Sequence, residues 1–157
     1  MDLIQWIEDS GIAEYIRVSA YGYPAMIALH SLGLAIMVGL SVVLSLRILG
    51  FFQPIPYVSL HRQLKIAWVG FIVNFISGGL LFASQATTYM TDREFLLKMA
   101  FVIIGAILVA VLQGRVKSGS ASWTASSPPP GGTRTLAMLT IACWVFGMIT
   151  GRLIAYL

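Results

Sequence analysis

Acidic side chains are almost missing from this chain: of 157 residues only six are Asp or Glu, and none stands between Glu14 and Asp92 or after Glu94. Charged residues of both signs make up 10% of the sequence, against about 25% in an ordinary soluble domain. One cysteine, Cys143, leaves no internal disulfide, and there are two histidines, His30 and His61. These shortages exclude much. A zinc cluster lacks ligands, no nucleophile and base stand at useful spacing, no phosphate-binding glycine loop occurs, and no carboxylate enters an apolar run to serve a proton-coupled pump.

What the chain does have is hydrocarbon. Hydrophobic residues reach 58% and arrive in four runs, Pro24 to Leu46, Ile66 to Phe82, Phe95 to Leu112 and Leu136 to Tyr156. Each matches the roughly 17–25 residues that a helix needs to cross about 30 Å of acyl chain. In lipid every backbone polar group must be paired internally, so runs of this length are helices. The expected fold class is all-α: an integral membrane four-helix bundle with a short N-terminal interfacial amphipathic helix. It forms one transmembrane domain over residues 1–157, with spans near 24–46, 66–84, 95–114 and 135–156.

Residues 1–20 carry Asp2, Glu8, Asp9 and Glu14 where a secretory signal would carry basic residues, so the segment is expected to stay on the mature protein. Leu3, Trp6, Ile7 and then Ile12, Tyr15, Ile16 recur at helical spacing around a Ser10-Gly11 break. Two amphipathic turns on the membrane surface follow, with Trp6 and Tyr15 at headgroup level.

Charge sets the expected orientation. Arg47, Arg62, Lys65, Arg115, Lys117 and Arg134 share the loops of one face with no acid, whereas all six acids belong to the other. Basic short loops stay cytoplasmic, which places both termini on the periplasmic side of a bacterial inner membrane. The net charge of +4 then meets anionic headgroups of the lipid bilayer, and no nucleic-acid partner is called for. Between the last two spans, residues 115–134 hold Ser118-Gly119-Ser120, Ser126-Ser127, three prolines and Gly131-Gly132, a composition that predicts a flexible cytoplasmic loop. Gln53-Pro54-Ile55-Pro56-Tyr57 predicts a short, rigid one.

Helices in lipid associate through small residues. Gly70, Asn74, Ser77 and Gly78 share a face of the second span, and Cys143, Gly147 and Gly151 share one of the fourth. These are the expected seams, with Asn74 requiring a hydrogen-bond partner on another helix.

Ionisable groups inside a span cost several kcal/mol and mark function. His30, Lys98 and Arg152 come from three different spans, yet at about 1.5 Å per residue they fall within roughly 5–9 Å of the same boundary. His61 lies at the opposite end of its span, so the histidines cannot share one ligand. Three readings of the cluster stand. The cations snorkel and His30 bonds a neighbouring helix. Alternatively, His30 is the axial ligand of haem b, with Lys98 and Arg152 neutralising the propionates and Gly33, one turn away, making room for the macrocycle. In the third reading copper binds His30 with Met26 or Met37. A quinone or anionic headgroup suits the same pocket.

The first span, Ala28-Leu29-His30-Ser31-Leu32-Gly33-Leu34-Ala35 through Gly39 to Leu46-Arg47-Ile48-Leu49-Gly50, resembles the LHxLGLA…G…DLRLLG signature of an uncharacterised bacterial family of four-helix membrane proteins. Trp68-Val69-Gly70-Phe71, Ser77-Gly78-Gly79-Leu80-Leu81-Phe82, Phe95-Leu96-Leu97-Lys98 and Gly151-Arg152-Leu153-Ile154-Ala155-Tyr156 continue the likeness. Ser45 stands where the family pattern has an acid, and the acid before the first-span histidine is absent. More distantly, a first-span histidine with a third-span lysine is similar in layout to bacterial four-helix protoporphyrinogen oxidase and to copper-resistance membrane proteins. In the former these residues hold haem, so the likeness implies His30 as ligand and Lys98 as its helper.

The resulting expectation is a b-type haem protein in electron transfer, with membrane or periplasmic redox partner subunits. The alternatives are a non-enzymatic anchor or accessory subunit, in a hetero-complex or a homo-oligomer, and a copper-handling protein.

Overall fold

A computed structural model of the chain describes residues 3–123 and 127–154. Asp2, Ser126, Ala155 and Tyr156, on which the sequence reading drew, lie outside them. The protein is 86% helical with no strand among the described residues. Two short helices, α1 (Leu3–Glu8) and α2 (Gly11–Val18), precede α3 (Gly22–Leu49), α4 (Tyr57–Ala83), a single turn α5 (Ala86–Thr91), α6 (Arg93–Gly119) and α7 (Gly131–Leu153). Four stretches are long and apolar enough to cross a membrane: 28 residues in α3, 25 in α4, 30 from Arg93 to Ser122, and 23 in α7. At about 1.5 Å per residue even the shortest reaches roughly 34 Å, more than an acyl layer needs. The chain is a multi-pass membrane protein.

In the bundle α3 packs along α4 on one side and α7 on the other, and α6 packs along α7. The fourth side, between α4 and α6, is nearly open. The two ends also differ. Toward the basic loops Leu44 and Ile48 of α3, Leu60 and Leu64 of α4, Val109 and Leu112 of α6 and Trp144 of α7 form one buried cluster. Polar side chains within the bundle satisfy themselves against their own helices: Ser41 Oγ donates to Val38 O (2.9 Å), Ser45 Oγ to Ser41 O (2.8 Å) and Thr140 Oγ1 to Leu136 O (2.8 Å). In hydrocarbon this is how a hydroxyl avoids being left unpaired. Ser45 is fully buried.

The seams follow the small residues. A Cβ added to Gly33 would sit 2.6 Å from both Asn74 N and Gly70 O, so the backbones of α3 and α4 touch there. Gly147 lies against Phe101 and Gly151 against Lys98, which seats α7 on α6. Asn74 Nδ2 donates to His30 O across the seam at 2.8 Å, supplying the cross-helix partner that its position demands.

Helix reaches further into two of the loops than composition suggests. The flexible segment 115–134 is largely helical: α6 runs on to Gly119, a 3-10 turn covers Ser120–Ser122, and α7 begins at Gly131. At the end of that helical stretch the Trp123 ring packs edge-on against Tyr57 at the start of α4, with centroids 5.3 Å apart. Between α4 and α6, α5 forms a helical turn that no periodicity marks.

The N-terminal segment is held down. Ser10 caps α2 by accepting from Ala13 N, and Ala13 and Ile16 are buried while Trp6 and Tyr15 are about two-thirds exposed (63% and 65%) on the outer face. Glu8 accepts from Thr87 N (2.8 Å) and Thr87 Oγ1 (2.6 Å) and pairs with Arg17 at 3.6 Å. The Thr87 bonds, with Arg17 adding to them, hold the Glu8 carboxyl below the usual carboxylate range. A lowered folded pKa means that this anchoring is fully present above the free carboxyl's pKa and is lost as pH falls through the folded value. Hydrogen exchange corrected for intrinsic rate should therefore show α1, which carries Glu8, better protected at neutral pH than in acid. Glu8→Gln should lose that pH dependence, and a pH response surviving in that variant would assign the anchoring elsewhere.

Candidate functional site

At the end of the bundle where α3 begins and α7 ends, the core gives way to a cavity of about 690 Å³ lined by Tyr23, His30, Gly78, Tyr89, Asp92 and Lys98, with Gly151 of α7 and its C-cap Ile154 closing it. A second hollow of about 350 Å³ shares His30, Gly78, Phe82, Phe95 and Lys98 with the first and continues between α4 and α6 past Asn74, Phe75 and Met99. The shared residues make the two one space, open at the bundle end and sideways through the gap. That gap has a frame. Toward the basic end Trp68 Nε1 donates to Gln113 Oε1 at 2.8 Å, tying α4 to α6. Toward the other, Phe82, Phe95 and Tyr89 stack, with centroids 5.5 and 5.1 Å apart.

His30 hangs from α3 into this space. Its Nδ1 lies 3.0 Å from Asn74 O, and because a carbonyl can only accept, Nδ1 carries the proton. Ser77 Oγ stands 3.4 Å from the same nitrogen while donating to Val73 O at 2.6 Å. Nε2 makes no hydrogen bond with a described residue and keeps its lone pair. The imidazole lies over Gly78, where an added Cβ would meet Cε1 at 2.8 Å and Nε2 only at 4.0 Å. Gly78 is thus small because the ring needs the room, and Asn74, Ser77 and Gly78 together fix its plane.

Lys98 reaches the same cavity from α6, its stem laid against Gly151 with Cδ and Cε 3.4 Å from where a Cβ would stand. It has no hydrogen bond or ion pair with a described residue. At the rim Asp92 is occupied as the cap of α6, accepting from Glu94 N at 2.9 Å. Burial, reinforced by Tyr23 and the Asp92 carboxylate, raises the Tyr89 phenol above its ordinary range and keeps it a donor.

The expected cluster is therefore assembled in part. His30 and Lys98 line one cavity. Arg152 does not: it is exposed on the outer face of α7, while Gly151 and Ile154 face inward. Gly33 is buried at the α3–α4 contact and does not line the cavity, so the room beside His30 comes from Gly78. Neither Met26 nor Met37 lines it, and Met37 belongs to the packed core. Tyr23, Tyr89 and Asp92 were missed because they lie at span ends, where polar residues carry no depth signal. No group of three His, Cys, Asp or Glu side chains able to hold a metal ion occurs among the described residues. Comparison of the chain with protein-family models, with curated proteins and with solved structures finds no match.

Proposed function

We propose that this is a b-type haem protein of the bacterial inner membrane, acting in electron transfer, with its hollow end on the periplasmic side. The observation that supports it best is the state of His30. Histidines that bind a metal commonly donate the other ring N–H to a backbone carbonyl or carboxylate, which fixes the tautomer and raises ligand basicity. The bond from Nδ1 to Asn74 O is of that kind and leaves Nε2 available. His30 would ligate the haem iron through Nε2, and Lys98, lining the same cavity, would pair with a haem carboxylate. Phe82 and Phe95 offer apolar faces beside a flat macrocycle. Haem would supply one-electron exchange, and membrane or periplasmic subunits would serve as donor and acceptor. The six acid-free basic residues of the opposite loops favour the orientation. Copper fits less well, since neither Met26 nor Met37 reaches the cavity.

The test is an absorption spectrum of detergent-purified protein from haem-sufficient cells, oxidised and dithionite-reduced, with a pyridine haemochrome assay. A Soret band with sharp reduced α and β bands at near one haem per chain is expected. A colourless, monodisperse protein would remove the haem reading. A second reading, an accessory or anchoring subunit, is favoured by Gly39 and Gly114, which are exposed with nothing within 4 Å and so offer faces for close approach of another helix. Such a subunit would purify colourless and bring defined partner chains with it.

A further inference from the structure

A different pocket lies at the basic end, independent of the haem reading. It has a volume of about 280 Å³ and is lined by Arg47, Gln53, Tyr57, Trp123, Pro129 and Arg134. Arg47, in the last turn of α3, is held rigidly: Nε donates to Ile55 O at 2.8 Å, one terminal nitrogen donates to Tyr57 Oη at 3.3 Å, and the guanidinium lies 4.3 Å from the Tyr57 ring centre. The second terminal nitrogen of its fork makes no hydrogen bond with a described residue. Arg134, in the first turn of α7, makes no hydrogen bond or ion pair with a described residue. Trp123 closes the wall, edge-on to Tyr57 and so close to Gly119 that a Cβ there would stand 2.8 Å from the indole. No carboxylate is available, since every acid of the chain lies before residue 15 or at positions 92 and 94.

Two guanidinium groups thus face one concave site with no protein counter-charge, beside the start of α7. That helix has no side-chain cap and no acid in its first turn, so its positive dipole end adds to the same field. Arg47 is half-buried and Arg134 exposed; two like charges lining one concave site with no acid beside them favour an anion, and a planar fork with open N–H groups matches phosphate oxygens. We propose that this pocket binds a phosphate-bearing anion at the depth of the headgroups, with Arg134 as the mobile clasp and Arg47 as the fixed one. Ile48, Leu49 and the prolines, which also line it, suit the carbon skeleton of an esterified phosphate.

The experiment is native mass spectrometry of the full chain in neutral detergent with phosphatidylglycerol or phosphatidylcholine added, alongside thermal midpoints with and without millimolar inorganic phosphate. One retained phosphatidylglycerol, preferred by about tenfold or more, is expected, because both lipids offer phosphate oxygens but the choline cation of phosphatidylcholine is repelled by the two arginines. Arg134→Gln should abolish the preference yet leave the midpoint in neutral detergent unchanged, because Arg134 has no partner among the described residues to lose. Arg115→Gln, at the same end but outside the pocket, should keep it. If inorganic phosphate instead stabilises the wild type and displaces the lipid, with both effects lost in Arg134→Gln, the same site takes soluble phosphate. Equal retention of both lipids with no response to phosphate would overturn the proposal. So would a preference that survives Arg134→Gln, or one that falls equally in Arg115→Gln.

Discussion

His30→Ala purifies without haem while His61→Ala keeps its full complement: this is the largest spectral difference expected among single substitutions. The contrast rests on distance. His30 bonds to Asn74, which lies thirteen residues along α4 from His61, or about 20 Å at 1.5 Å per residue. His61 has a buried Nδ1 with no hydrogen-bond partner among the described residues, and its loss would be felt in folding rather than in colour. Removing His30 takes away the one imidazole that lines the cavity, and no second residue there can take its place as an axial nitrogen except Lys98. A low-affinity, spectrally altered haem in His30→Ala that is lost in His30→Ala/Lys98→Met would show Lys98 as the substitute ligand. Equal loss of haem from His30→Ala and His61→Ala, with both proteins folded, would sink the single-site reading.

The largest effect on stability is expected from Gly33→Ala. The new methyl would stand 2.6 Å from Asn74 N and Gly70 O, and both are backbone atoms that can yield only if the helices part. Overpacking of this kind costs about 1–3 kcal/mol. Parting α3 from α4 also stretches the bond from Asn74 Nδ2 to His30 O, worth on the order of 1 kcal/mol in a membrane interior. A loss of about 2–4 kcal/mol is expected in SDS-titration unfolding, and the orientation of His30 should go with it. Gly39→Ala is the matched control, because nothing lies within 4 Å of that position. Indistinguishable unfolding midpoints for the two variants would mean that the seam does not bear on stability.

The spans were legible because burial in lipid is written along the chain as uninterrupted hydropathy, and four such runs leave few arrangements. Depth was legible for the same reason, so His30 and Lys98 could be placed at one level. Azimuth was not. A helix turns about 100° per residue, and the difference between Gly151, which faces the cavity, and Arg152, which faces outward, is one residue. Gly33 shares a face with His30, yet a face says nothing of whether a cavity or another backbone meets it. The helical ends of the third loop were not legible because small residues and prolines dominate its composition, and the docking of its single aromatic, Trp123, on Tyr57 is a tertiary contact that composition does not show.

The frame around the gap between α4 and α6 has one further consequence. Clamped by Trp68 and Gln113 at one end and by the Phe82–Phe95–Tyr89 stack at the other, the window faces the surrounding acyl chains, and an opening onto hydrocarbon fills with hydrocarbon. Whatever occupies the cavity beside His30 must therefore displace lipid tails, not only water. The fatty-acid make-up of the membrane becomes a competitor for the site, and occupancy measured in a short-tailed detergent and in a native bilayer are answers to two different equilibria.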